Sequence, residues 1–388
     1  MKRIASIDIF RALTMLMMLF VNDFAGMTGL PHWLHHAETN EDFLGFSDLV
    51  FPAFLFCVGL SIPFAIGNRY QKGDSQVQIL GHILIRGLAL VVMGLFSMNF
   101  RGVEGGLSRP VFTLLAVAGF FLVWNAYPRR NDGRYPVWVR ILQAAGVALM
   151  VFLVIYKDLH GMPFRHGWWG ILGLIGWAYV PCALGYLFLK GDFKKVTGFW
   201  LLTLILCVLN SSKAIPADYA SRALILGFWP GGWTHPAICA TGMFTAMLLL
   251  RHVGEPKKLL IPYVCLALAF FLLAQVSHRF WIISKNLATP TWAFYCLALF
   301  VALFALLHWI ADTKGWTAWS RPISPAGTAT LTCYTIPTIW YACQQLCGLH
   351  WPAVLTDGLP GLLKALAFAF VIIGLTWLFE KLHLKLKL

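Results

Sequence analysis

Three histidines, His32, His35 and His36, stand in one short segment that also holds Glu38, Glu41 and Asp42. A neutral imidazole is a natural general base near pH 7, because its unperturbed pKa lies close to that value. Asp48 follows at the head of an apolar run, in the motif SDLVFP. A carboxylate in that position can reach back to the loop and fix the tautomer of one imidazole, leaving its other nitrogen basic, as in the histidine–aspartate pairs of hydrolases. The structural alternative is that Ser47 or Asp48 caps the helix that follows, with Pro52 bending it. His32 and His36 also have the i, i+4 spacing of a helical metal pair, with Glu38 nearby. Pro31 disfavours a regular helix there and no H-E-x-x-H motif occurs, so no metal is expected.

The apolar run before the loop carries polar groups of its own. Asp8 and Arg11 are three residues apart, share a helix face and can pair. They read either as an anchoring ion pair or as a cation, Arg11, facing an anionic ligand. Asn22 and Asp23 lie deeper. Asn22 is roughly 16 Å beyond Arg11 at ~1.5 Å rise per residue, still short of the ~30 Å hydrocarbon thickness. Polar groups at such a depth face a protein interior or a water-filled cavity, or bond a neighbouring helix.

The elements that position these groups follow from composition. Of 388 residues, 59% are hydrophobic and only 12% charged, against about 25% charged in soluble domains. Many apolar runs reach the ~20 residues that cross a bilayer. The expected helices are Ile9–Gly29, Phe46–Ile66, Ile79–Met98, Pro110–Tyr127, Val137–Tyr156, Trp168–Lys190, Val196–Asn210, His235–Leu250, Leu259–Ile282, Thr291–Ile310, Ser324–Gln344 and Gly361–Phe379. Polar residues thin the seventh and eleventh runs, so the count is about twelve, within a range of ten to twelve. The fold class is an all-α polytopic integral membrane protein forming a single domain over 1–388. No low-complexity linker, soluble domain or internal repeat is visible.

Charge then orients the helices. The formal charge of +14 is spread over short segments between apolar runs, which argues for loop retention and against nucleic acid. Basic residues mark the start (Lys2, Arg3), the end (Lys385, Lys387) and the loops after even-numbered helices: Arg69/Lys72, Arg129/Arg130/Arg134, Lys194/Lys195, Lys257/Lys258 and Lys314. Both termini are therefore expected in the cytoplasm and the histidine loop outside. Asp8 and Arg11 break the apolar stretch a cleavable leader needs, so the first helix reads as permanent. The nine cysteines mostly fall in apolar runs without a C-x-x-C pair and read as buried structural thiols.

Three stretches carry a family resemblance: SIDIFRALTMLMMLFVN (Ser6 to Asn22), His36-Ala37, and DLVFPAFLFCVG (Asp48 to Gly59). In that order they resemble the transmembrane acyltransferase family related to heparan-α-glucosaminide N-acetyltransferase, including its bacterial NagX-type members. Arg86-Gly87-Leu88 and Lys285-Asn286-Leu287 are weaker matches. The resemblance implies that an acetyl group passes from cytoplasmic acetyl-CoA, a co-substrate, to an amino sugar or related glycan outside. It selects His36 as the catalytic histidine, Asp48 as its partner and Asn22 as the third member.

The implied roles can be stated residue by residue. His36 deprotonates the acceptor or takes the acetyl group itself, Asp48 orients it, and Asn22 donates to the thioester oxygen as charge develops. Arg11, Arg69, Arg86 and Lys285 are candidates for binding CoA, although the charge-based orientation puts Lys285 outside, where it would instead face the acceptor. Expected partners are a small sugar acceptor, acyl-CoA and the lipid bilayer, with a homodimer allowed. The expected location is the bacterial inner membrane. The competing reading is a sugar transporter without acyl-transfer chemistry, against which stands the lack of repeated halves.

Overall fold

A computed structural model describes residues 4–130, 133–167, 169–212, 229, 232–252 and 255–388. Lys2, Arg3, Trp168 and most of the loop from Ser211 to Trp233 lie outside the described residues, as do Asn131 and Asp132 of the basic loop before the fifth helix. Among the described residues the secondary structure is helical throughout, apart from one isolated bridge between Asn125 and Leu386. The long helices are α1 (Ala5–Phe24), α2 (Val50–Gln71), α3 (Gln76–Met98), α4 (Arg109–Trp124), α5 (Val137–Leu159), α6 (Gly170–Phe188), α7 (Phe193–Ser211), α8 (Thr234–Arg251), α9 (Pro256–Ser277), α10 (Pro290–His308), α11 (Thr330–Leu346) and α12 (Gly358–Lys381). Among the described residues nine spans are long and apolar enough to cross a bilayer, and α4 is a shorter apolar helix. The chain is an all-helical, polytopic integral membrane protein.

Boundaries differ from expectation where a specific group sets them. α1 begins at Ala5, ahead of the expected Ile9, because the Asp312 carboxylate accepts from the Ala5 N–H at 2.8 Å and the Ser6 N–H at 3.0 Å. A carboxylate at a helix N-terminus satisfies otherwise orphaned donors and complements the helix dipole. The expected helix Ser324–Gln344 is in two pieces, a short turn Ser324–Thr328 and α11, because Ala329 leaves the helical region (φ −124, ψ 45). α9 ends at Ser277, five residues before the expected Ile282.

The chain divides into two compact units. The first comprises Met1–Thr14, Pro31–Val91 and Ile171–Arg321. Its core is aromatic: Phe10 packs against Phe56, Phe300 and Phe304 with ring centroids 5.6–6.3 Å apart. α8 runs through this unit with every residue from Thr234 to Leu249 buried. That explains its modest apolarity, since a helix sheathed by protein can use Ala, Gly, Cys and Thr for close approach. A Cβ on Gly59 of α2 would collide with the Cys239 carbonyl of α8, and one on Gly242 with the Phe56 carbonyl of α2. The two backbones therefore touch, which fixes where α2 presents its N-terminus.

The second unit comprises Met15–Leu30, Val92–Gly170 and Pro322–Leu388. Asp23 on α1 accepts from Lys364 Nζ of α12 at 2.6 Å and from the Tyr341 hydroxyl of α11. This carboxylate is 2% exposed and the lysine 9%, so the pair is a buried tie among three helices. The C-terminal tail closes the other side, with the Leu386 N–H donating to Thr332 Oγ1 at 2.9 Å and the Lys387 N–H to the Trp124 carbonyl at 2.9 Å.

The glycine contact gives a direct test. Gly242→Val should lower the thermal midpoint by the equivalent of at least ~1–3 kcal/mol, the usual cost of overpacking. Gly81→Ala should not, because nothing stands within 4 Å of its Cβ position. A thermal melt followed by tryptophan fluorescence reads both; equal stability of the two variants would contradict the close approach.

Candidate active site

Asp48 reaches the site through a short 3-10 turn, Phe46–Leu49, that leads into α2. The turn is held against the preceding loop by Ser47 Oγ, which donates to the Leu34 carbonyl at 2.5 Å. Gly45 allows this approach, because a Cβ there would overlap the His35 carbonyl. From below, Trp292 Nε1 of α10 donates to the Asp48 backbone carbonyl at 3.3 Å. Trp292 is itself fully buried, edge-on to His235 of α8 with centroids 6.5 Å apart.

The Asp48 side chain is 2% exposed and needs partners, since a buried unpaired charge costs several kcal/mol. Oδ1 lies 2.7 Å from His36 Nδ1 and Oδ2 accepts from the Ala37 N–H at 3.0 Å. Asp48 is thus wrapped by the histidine loop rather than serving as an ordinary helix cap. Its imidazole partner remains 42% exposed. One ring nitrogen lies against a buried carboxylate while the ring itself stays partly exposed, a geometry suited to a carboxylate-oriented base or nucleophile.

A second loop, between α9 and α10, straps the first in place. Asp42 accepts from His278 Nε2 at 2.8 Å and from the Ile283 N–H at 2.7 Å. Partial burial raises the Asp42 carboxyl, but the Ile283 N–H and the His278 ring outweigh it and hold the group below the usual carboxylate range. Ser284 Oγ donates to the Thr39 carbonyl at 3.0 Å, and Asn286 Nδ2 reaches the Ala37 carbonyl and Thr39 Oγ1 at 3.4 Å. Beside this junction lies an open polar depression of about 680 Å³, lined by His32, Glu38, Thr39, Asn40, Glu41 and Asn286. His32 is paired with Glu41 at 2.5 Å on its rim.

Lys285, grouped by sequence with the CoA-binding cations, stands at this junction. Its Nζ lies 2.9 Å from His36 Nδ1 and 3.4 Å from Asp48 Oδ1. Burial pushes the Lys285 ammonium below the usual lysine range, partly offset by Asp48. Of the two placements the sequence allowed for it, the histidine-loop side is the one found. Its nearness to His36 was not legible, since the two are 249 positions apart; the signals for Lys285 itself were a polar SKN segment between two apolar runs and the weaker family match Lys285-Asn286-Leu287.

The remaining candidates lie elsewhere. Arg11 donates to Asp8 Oδ1 at 3.2 Å and to Ser61 Oγ at 2.7 Å. Arg69 pairs with Asp74 at 2.8 Å near the C-terminal end of α2. Arg86 stacks over the Tyr179 ring at 5.0 Å, with its Nε buried and unpartnered among the described residues. Arg69 is 21 positions beyond Asp48 along one nearly continuous helix, roughly 30 Å at 1.5 Å per residue. Asn22 belongs to the second unit and is exposed. The Asp42–His278 clip and the Trp292 support have no signal in the sequence, because each joins segments far apart in the chain; Asp23 bonds a neighbouring helix as its depth suggests, with Lys364 as a partner the sequence does not identify.

Comparison with known proteins adds an independent line. A family model described as "Domain of unknown function (DUF5009)" matches residues 3–235. The chain is 25% identical over 359 residues to heparan-alpha-glucosaminide N-acetyltransferase of Mus musculus, covering 81% of this chain and 50% of that protein. It is 36% identical over 107 residues to the Homo sapiens protein of the same name, covering 27% of this chain and 15% of that one. The chain thus spans half the length, or less, of these relatives.

The strap can be tested apart from any activity. Asp42→Ala removes a partly exposed pair of the kind worth ~0.2–1 kcal/mol. Hydrogen exchange measured by mass spectrometry should therefore speed up roughly two- to fivefold across residues 31–45 and 278–289. Lys258→Ala, which breaks an exposed pair with Glu255, should leave both segments unchanged.

Proposed function

The chain belongs to the family described as "Domain of unknown function (DUF5009)", and we propose that it is a membrane acetyltransferase that moves an acetyl group from acetyl-CoA to an amino sugar or related glycan. The observation that carries this reading is the buried Asp48 carboxylate 2.7 Å from the ring of an accessible His36. The likeness to a protein named N-acetyltransferase over 81% of the chain supports it.

In the proposed reaction the acceptor nitrogen attacks the thioester carbonyl carbon while Nε2 of His36 takes its proton. The tetrahedral adduct collapses, the carbon–sulfur bond breaks, and the departing CoA thiolate receives the proton from His36. Asp48 stabilises the imidazolium formed between these transfers. A variant of the same chemistry has His36 accept the acetyl group first and pass it on. Asn22, the donor that the family resemblance implies for the developing oxyanion, belongs to the second unit and is given no part in this step. Glu38 and Glu41 in the adjoining depression suit the hydroxyl and ammonium groups of an amino sugar.

Arg11, Arg69 and Arg86 are assigned to the phosphates of the donor. With Arg69 roughly 30 Å from Asp48 along α2, the donor has to enter lengthwise, its acyl end toward His36. The charge pattern orients the Arg69 end inward and the histidine loop outward, in a bacterial inner membrane, with residues 1–388 acting as one acyltransferase domain and a homodimer as a compatible assembly.

Purified protein in lipid nanodiscs, given acetyl-CoA and glucosamine, should release free CoA thiol. His36→Ala should reduce that release by at least the ~10²–10⁴-fold attributed to a positioned base, and Asp48→Asn should reduce it within the same range. Release that persists in His36→Ala would contradict the role given to His36. Uptake of labelled sugar into proteoliposomes lacking any acyl donor would favour transport instead.

A further inference from the structure

His36 Nδ1 has two rival partners. Asp48 Oδ1 stands 2.7 Å away and Lys285 Nζ 2.9 Å away. A neutral imidazole nitrogen carries either a hydrogen or a lone pair. With the hydrogen on Nδ1, the ring donates to Asp48 and offers the Lys285 ammonium nothing to bond. With the lone pair on Nδ1, the ring accepts from Lys285, and Nδ1 and Oδ1 face each other as two acceptors. The ammonium then bridges them, with its longer contact of 3.4 Å to Asp48 Oδ1. The two arrangements exclude each other and put the single ring hydrogen on opposite nitrogens.

We propose that Lys285 is a positioning residue that sets the tautomer of His36. As an ammonium it holds Nδ1 as an acceptor, so the hydrogen sits on Nε2 and the outward nitrogen cannot take a proton. Once Lys285 gives its proton to solvent, the ring hydrogen moves to Nδ1 and bonds Asp48. Nε2 then carries the lone pair. One proton leaves the cluster, from Lys285, and the imidazole stays neutral. The consequence for acyl transfer rests on the role proposed above for His36; the tautomer change itself does not.

The surroundings fit this role. Lys285 is 23% exposed, so solvent reaches it, while Asp48 is not accessible. The charged and titratable groups facing Lys285 are His36 from the first loop, Asp48 from the turn before α2, and Cys296 from α10. Burial holds the Lys285 ammonium below the usual lysine range, partly offset by Asp48. Sign and window follow: the ammonium-bound tautomer holds at pH below the lowered Lys285 pKa and is lost as pH rises through it.

Nitrogen-15 NMR of histidine-labelled protein reads the tautomer directly, because protonated and unprotonated ring nitrogens differ widely in shift. His36 is identified among the twelve histidines by the signals lost in His36→Gln. Wild-type protein without donor or acceptor should show the Nε2–H form above the imidazolium range and convert to Nδ1–H as pH rises further. Lys285→Met should show Nδ1–H throughout. Lys285→Arg, whose cation does not titrate, should stay Nε2–H throughout and lose the rise in CoA release with pH that deprotonation of Lys285 gives the wild-type protein. The same tautomer in all three proteins at every pH would overturn the proposal. A tautomer change in a protein that never releases CoA would uphold it and refute the acyl-transfer reading instead.

Discussion

A carboxylate buried at the mouth of an apolar helix can be stable only if other groups come to it, and Asp48 draws four segments together on that account. The Ala37 N–H, the His36 ring and the Lys285 ammonium meet its oxygens, while Trp292 holds the backbone it hangs from. Removing one partner from such a cluster leaves a desolvated charge, which typically costs more than the pair contributes when intact. The first loop therefore folds inward over the 3-10 turn instead of spreading over the surface. His36 is held by the same arrangement, with one nitrogen committed and its ring exposed.

What positions Asp48 is the packing behind it. Gly59 and Gly242 let α2 and α8 touch backbone to backbone, and the aromatic group around Phe10 and Phe56 fills the space on the other side. Small residues at a helix contact and large ones around it are how helices associate where lipid supplies no hydrophobic drive. The second unit solves a similar problem with Asp23, whose charge is met by Lys364 and a tyrosine hydroxyl. There both members of the ion pair are buried, so it acts as a tie between helices; at Asp48 the imidazole is left open.

Much of this was readable from the chain. Apolar length and the positions of Lys and Arg located the helices to within a few residues, because a bilayer imposes one period and one length on every span. Asp48 and the histidine loop were legible because both lie in one short stretch and chemistry restricts what a carboxylate can do beside an imidazole, while His36 was singled out among the three histidines by the family resemblance. The place of Lys285 beside them was not legible, since His36 lies 249 positions away and a lysine in a loop has many harmless uses. The start of α1 was misplaced for the same reason, its cap being Asp312. Asn22 fell in the second unit, a division that no linker or composition shift announced.

The central claim is that this cluster carries an acetyl group from a thioester to an amine. The most direct measurement gives the purified protein acetyl-CoA labelled with carbon-13 in the acetyl group, together with glucosamine, and follows the label by mass spectrometry. The label should appear on the sugar nitrogen in step with the appearance of free CoA. Labelled acetate and free CoA with an unmodified sugar, or no loss of acetyl-CoA at all, would contradict it.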